Sequence, residues 1–129
     1  FVQYLLSLRK NQGYRIYQLD FSDGKTKKFA FEGMEGLREA GYEQPPASEY
    51  ALVCENTLLC SVEDSDEACL KRIFDRYNDK LPEDYSGRSV APSDVVELYD
   101  ERGRRYFYRD KDAFCPVHFS PMLAKKMKK

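Results

Sequence analysis

The sequence predicts one α+β domain, a mainly antiparallel sheet with two or three helices. Three observations predict it. Strand-like segments are grouped, 14–21 with 26–31 and 94–99 with 104–109, and do not alternate regularly with helices. Each group is split by a short turn signal containing Asp and Gly. Hydrophobic residues make up 42% of the 129 residues and run through the whole chain without repeats or a low-complexity linker, which suits one domain.

Each element has its own warrant. In 1–10, Val2, Leu5, Leu6 and Arg9 share a helical stripe that Gly13 would cap, so a helix is expected; alternation of Val2, Tyr4, Leu6 and Leu8 keeps a strand open. Residues 14–21 read as a strand, 22–25 as a turn and 26–31 as the return strand of a hairpin. Residues 32–40 form a short helix candidate, with Gly41 placed as its C-cap. Residues 44–48 are a loop. Residues 50–60 follow as a strand, with Tyr50, Leu52 and Cys54 on one face.

Ser65 or Asp66 caps the next helix, whose stripe is Ala68, Cys69, Ile73, Phe74 and Tyr77. A loop spans 78–87. Residues 94–99 and 104–109 form a hairpin around Asp100-Glu101-Arg102-Gly103. A last strand over 113–118 is confined to an edge by Pro116. The expected organisation is an N-terminal extension over 1–13, the domain over 14–119, and a basic tail over 120–129 that leaves the fold.

Composition excludes several function classes. The net charge of −1 gives no global case for nucleic-acid binding. No apolar run approaches the roughly 18 residues of a membrane span, so no membrane partner is expected. Cys54, Cys60, Cys69 and Cys115 form no CxxC pair, and His118 stands alone, so no metal site is expected. Buried reduced thiols and a cytoplasmic location fit these cysteines better than disulfides do.

His118 is the one histidine, so a Cys–His or Ser–His nucleophile pair would need it beside the nucleophile in space, and it reads instead as a surface or edge histidine. Cys115 and His118, three apart on a strand, point to opposite faces. The acidic residues Glu63, Asp64, Asp66 and Glu67 are explained by helix capping, and Asp100, Glu101, Asp110 and Asp112 by turns. The glycines form no phosphate loop. No catalytic residue, cofactor or small-molecule substrate is therefore expected.

What remains is the hairpin 102–111. Arg105, Phe107 and Arg109 share one face, while Arg104, Tyr106 and Tyr108 share the other. Interleaved Arg and aromatic side chains can stack bases and neutralise phosphates. They serve equally as one core face and one solvated face.

Two stretches carry a family resemblance. Tyr14-Arg15-Ile16-Tyr17-Gln18-Leu19 is similar to an early "RIYQL" strand. Residues 81–96, with Pro82-Glu83-Asp84-Tyr85-Ser86-Gly87-Arg88-Ser89 and Ser93-Asp94-Val95-Val96, are similar to a "PEDF-x-GHS" segment running into "SDVV". Together they resemble the YodL-like domain. Its closing aromatic motif corresponds to Phe107-Tyr108-Arg109-Asp110-Lys111-Asp112-Ala113-Phe114. Two departures matter. Arg88 stands at the histidine of "GHS", and Lys111, Asp112 and Ala113 replace a Ser-Phe-Gly triplet.

The resemblance implies an accessory domain of conjugative or other mobile-element proteins in Firmicutes, without enzymatic activity. The expected function is thus a non-catalytic protein-interaction module, its partner another protein or a neighbouring domain. The alternative is a nucleic-acid-binding accessory domain using 102–111. The candidate partner-binding residues are Arg88, Arg105, Tyr106, Tyr108, Arg109 and Asp110.

Overall fold

Tyr14 and Ile16 alternate with Tyr17 and Leu19, and all four are buried. A strand that hides both faces must sit inside a sheet with cover on each side. The computed structural model, which describes residues 8–20, 29–78, 80–85 and 87–126, shows this arrangement. Strand β1 (Arg9–Leu19) lies between β2 (Tyr50–Ser61) and β3 (Val95–Asp100). Strands β4 (Gly103–Arg109) and β5 (Phe114–Val117) complete a five-stranded antiparallel sheet in the order β2-β1-β3-β4-β5. Helix α1 (Met34–Glu39), helix α2 (Asp66–Arg76) and two single 3-10 turns pack around it. The result is a single mixed domain dominated by sheet.

The sheet separates two cores. On one face Tyr14, Ile16, Leu58, Val96, Leu98 and Phe107 meet Cys69, Leu70 and Ile73 of α2. On the other, Tyr17, Leu19, Tyr50, Val95 and Tyr108 meet Leu37 of α1, Phe29 and Phe119. The α2 start behaves as its sequence requires: Ser65 Oγ accepts from the Ala68 amide at 3.1 Å. Gly41 ends α1 at φ +94, with its amide bonded to Arg38 O and that of Tyr42 to Leu37 O, a Schellman closure. Helix α1 is shorter than the 32–40 expected, starting after Gly33.

Several expectations are corrected. Most of the N-terminal helix expected over 1–10 lies outside the described residues, but Arg9 and Lys10 already belong to β1. Gly13 is a strand residue, not a helix cap. It pairs with Tyr99, whose ring occupies the space where a Gly13 Cβ would point. The return strand expected over 26–31 lies mostly outside the described residues; along 13–17, β1 has β2 on one edge and β3 on the other. The turn expected at 22–25 lies outside the described residues, and Phe29, Ala30 and Phe31 form a turn.

Residues 50–60 do not keep one alternation. Ile16 pairs with Cys54 and Tyr17 with Leu52, so Val53 is an extra residue, a β-bulge. The bulge puts Tyr50 and Leu52 in the α1 core and Cys54 in the α2 core. The tail does not simply leave the fold. Lys125 donates its amide to Tyr50 O at 2.8 Å and accepts from the Leu52 amide at 3.0 Å, extending the sheet beside β2.

Candidate functional site

The motif residues converge at one corner, where β1 ends and β3 begins. Gln18 is buried on β1. Its Nε2 donates to Arg88 O at 2.8 Å, and its Oε1 accepts the Arg88 amide at 2.8 Å. The same Nε2 donates to Asp94 Oδ2 at 3.0 Å, which also accepts the Ala91 amide at 2.9 Å. Tyr85 OH donates to Arg88 O at 2.6 Å. Gly87 is required by this closeness: a Cβ there would stand 2.6 Å from Tyr85 Oη and 2.8 Å from Gln18 Oε1. The Arg88 side chain reaches back to Leu19 O at 3.1 Å and lies over the Phe31 ring at 5.7 Å.

Asp94 is the unusual acid of the corner. It is 1% exposed, and its Oδ1 has no partner among the described residues. Burial pushes its carboxyl up to about 7, against the bonds from Ala91 and Gln18 and the charge of Arg88. Ser93 beside it adopts φ +83. Its carbonyl accepts from Tyr50 OH at 2.6 Å and its Oγ from the Phe31 amide at 3.2 Å. The corner is a lock between distant segments.

The hairpin residues are dispersed over both faces. Arg105 points toward α2, donating to Asp66 at 2.6 and 3.0 Å and to Asp100 at 3.1 and 3.2 Å. That pairing holds the Asp100 carboxyl well below the usual carboxylate range. Tyr108 is buried in the α1 core and donates to Glu32 O at 3.1 Å. Tyr106 is half-buried, its ring 5.7 Å from that of Phe119. Asp110 accepts the Met34 amide at 3.1 Å and the Lys111 amide at 2.8 Å, so it closes the start of α1 as well as its own turn. These bonds lower its carboxyl.

Sequence reasoning missed a buried charge. Glu97 is 0% exposed on β3, facing away from α2. Arg15 donates to it at 2.6 Å and Tyr17 at 3.0 Å, and Arg15 also pairs with Glu55. The signal was present: Val95-Val96-Glu97-Leu98-Tyr99 is an apolar strand with one acid in it.

Arg109 has a different setting. It lines a groove of about 440 Å³ between α2 and the β4–β5 hairpin, walled by Leu70, Phe74, Phe107 and Phe114. Its guanidinium lies 4.2 Å from the Phe74 ring centre and 5.1 Å from that of Phe114. Asp110 instead lines a separate, more polar cavity of about 650 Å³ along α1. Arg88 lines neither of these two cavities. Among the described residues no three His, Cys, Asp or Glu side chains could hold a metal ion. Among them, too, no helix is long and apolar enough to cross a membrane.

The model of the YodL-like domain family matches residues 13–119, and the chain belongs to that family. The resemblance seen in Gln18 and in 81–96 is therefore a true kinship, and its motif residues are those that lock the corner. No curated protein and no solved structure matches the chain.

Proposed function

We propose that this YodL-like domain is a non-catalytic protein-interaction module, an accessory part of a mobile-element protein. One observation carries the reading: the groove beside β5 is walled by three phenyl rings and a leucine and rimmed by Glu67, Lys71, Asp75 and Asp112. An apolar, aromatic centre with a charged rim is how protein-recognition surfaces are built. The non-catalytic half is supported by the acids and bases: Asp94, Asp100, Asp110 and Arg105 each hold backbone or a partner side chain in place. The mobile-element half is what the family resemblance implies. A gene neighbourhood lacking transfer or integration genes would remove it.

The test has two arms on the full chain. Phage-displayed random heptapeptides should yield binders that Ala113→Gln, at the exposed lip of the groove, displaces without lowering Tm. A labelled twenty-nucleotide oligo-dT should show no binding by fluorescence anisotropy at low salt. No selected peptide, together with oligo-dT binding that collapses as salt rises, would transfer the function to nucleic acid. The hairpin weighs against that outcome: Arg105 and Arg109 turn onto α2, and Tyr108 is buried.

A further inference from the structure

We infer that Arg109 makes the α2–β5 groove a carboxylate-reading site. Its occupant is an extended segment of a partner protein with one Asp or Glu side chain beside an apolar residue and a basic residue at its flank. The inference rests on the protein-interaction reading above.

Three other guanidinium groups among the described residues are matched to carboxylates. Arg15 pairs with Glu55 and Glu97, and both Arg102 and Arg105 pair with Asp66 and Asp100. Arg109 forms no ion pair among the described residues. Its Nε is shielded from solvent and has no acceptor among the described residues. Its guanidinium makes one hydrogen bond among them, from Nη2 to Lys111 O at a long 3.4 Å. The rings of Phe74 and Phe114 attract its charge but accept none of its N–H bonds in the plane of the group. A guanidinium held in one plane by ring contacts presents a fixed fork of donors, and a carboxylate fits that fork with two parallel bonds.

The surroundings define the rest of the segment. Leu70, Phe74 and Phe107 offer an apolar subsite next to the guanidinium. Glu67, Asp75 and Asp112 outnumber Lys71 on the rim, which disfavours a polyanion and favours a basic flank beside a single acid. Strand β5 contributes little ladder, because Pro116 has no N–H to give and the strand is four residues long. Recognition must then come from a side-chain anchor, and Arg109 is the anchor that the groove provides.

The experiment sequences the heptapeptides selected on the full chain and titrates the best of them by fluorescence polarisation. The same peptide is made with its acid replaced by the amide, Asp→Asn or Glu→Gln. The expected result is enrichment of an acidic residue next to an apolar one, about 10-fold weaker binding by the amide peptide, and a similar loss in Arg109→Gln. Arg109→Lys keeps the charge but not the fork and should recover only part of the affinity. Thermal melts establish that each variant is folded. The Nε–H resonance of Arg109, followed by ¹⁵N NMR, should move with the acidic peptide and not with its amide. Groove-binding peptides that lack any acid, or that bind Arg109→Gln as well as wild type, would overturn the carboxylate site and leave the interaction reading standing. Failure to select any peptide would overturn both.

Discussion

The side-chain amide of Gln18 grips the backbone of Arg88 at both ends, accepting its N–H at 2.8 Å and donating to its carbonyl at 2.8 Å. This is a strand-like pairing made by one side chain, and it joins β1 to the loop that delivers β3. Replacing Gln18 by Leu preserves volume and leaves the buried groups of Arg88 and Asp94 short of partners. An orphaned buried group costs about 1–3 kcal/mol, so a loss of roughly 2–4 kcal/mol is expected. Urea unfolding measures it. An effect below about 0.5 kcal/mol would mean that water replaces the amide freely.

Asp94 should give the domain an unusual pH dependence. Its carboxyl sits at about 7 in the fold, against an ordinary 3.8. Between those values the folded state binds the proton and the unfolded chain does not. Stability from this group is therefore fully present below pH 3.8 and is lost as pH rises through about 7. The loss is on the order of 4 kcal/mol by linkage. Asp100 and Asp110, both lowered, act with the opposite sign and cost stability only on strong acidification. Asp94→Asn keeps an acceptor for Ala91 and Gln18. It should flatten the melting temperature between pH 5 and 8 and exceed wild type at pH 8. A wild-type Tm that rises across that range would refute this.

How much of this was legible follows from where each signal lies. The β3–β4 turn could be read because its cause is local: Gly103 takes φ +114 and Asp100 accepts the Arg102 amide at 2.9 Å. The Ser65 cap and the Gly41 closure are local in the same way. Gly13 misled because its reason for being glycine, the ring of Tyr99, comes from another strand. The bulge at Val53 leaves no mark in composition. Of the candidate residues, Arg109 reaches the groove while Arg105 and Tyr108 are absorbed into packing. The difference is which carboxylates and rings lie opposite, and only the tertiary pairing decides that.

The Arg15–Glu97 pair is the place where one substitution should do most damage. Glu97 is fully buried, and Arg15 with Tyr17 satisfies it. Arg15→Ala leaves a buried acid with Tyr17 alone, a loss of about 3–5 kcal/mol. Replacing both, Arg15→Met with Glu97→Leu, removes the charge and its partner together. The double variant should lie well above the Arg15→Ala single in stability, because desolvation offsets most of a buried pair's attraction. Guanidinium unfolding of the wild type, Arg15→Met, Glu97→Leu and the double variant tests the coupling as a double-mutant cycle. Additive losses would show that the pair is not coupled.

The cysteines should react with thiol reagents in two groups. Cys60 and Cys69 are each 1% exposed and face each other with their sulfurs 3.4 Å apart, between β2 and α2. Burial and the neighbouring Cys60 thiol push Cys69 up to about 12, so little thiolate is present at neutral pH. Cys54 and Cys115 are also raised, chiefly by burial, but both are half-exposed. A thiol reagent such as Ellman's should therefore modify Cys54 and Cys115 in the native protein, and Cys60 and Cys69 only with unfolding. Urea would bring all four into one fast phase. The rate for the inner pair should track global stability, so Gln18→Leu should speed it in proportion to its loss. Equal native rates for all four thiols would place the α2 core in frequent local opening and contradict the packing of Cys69 against Leu58 and Ile73's cluster.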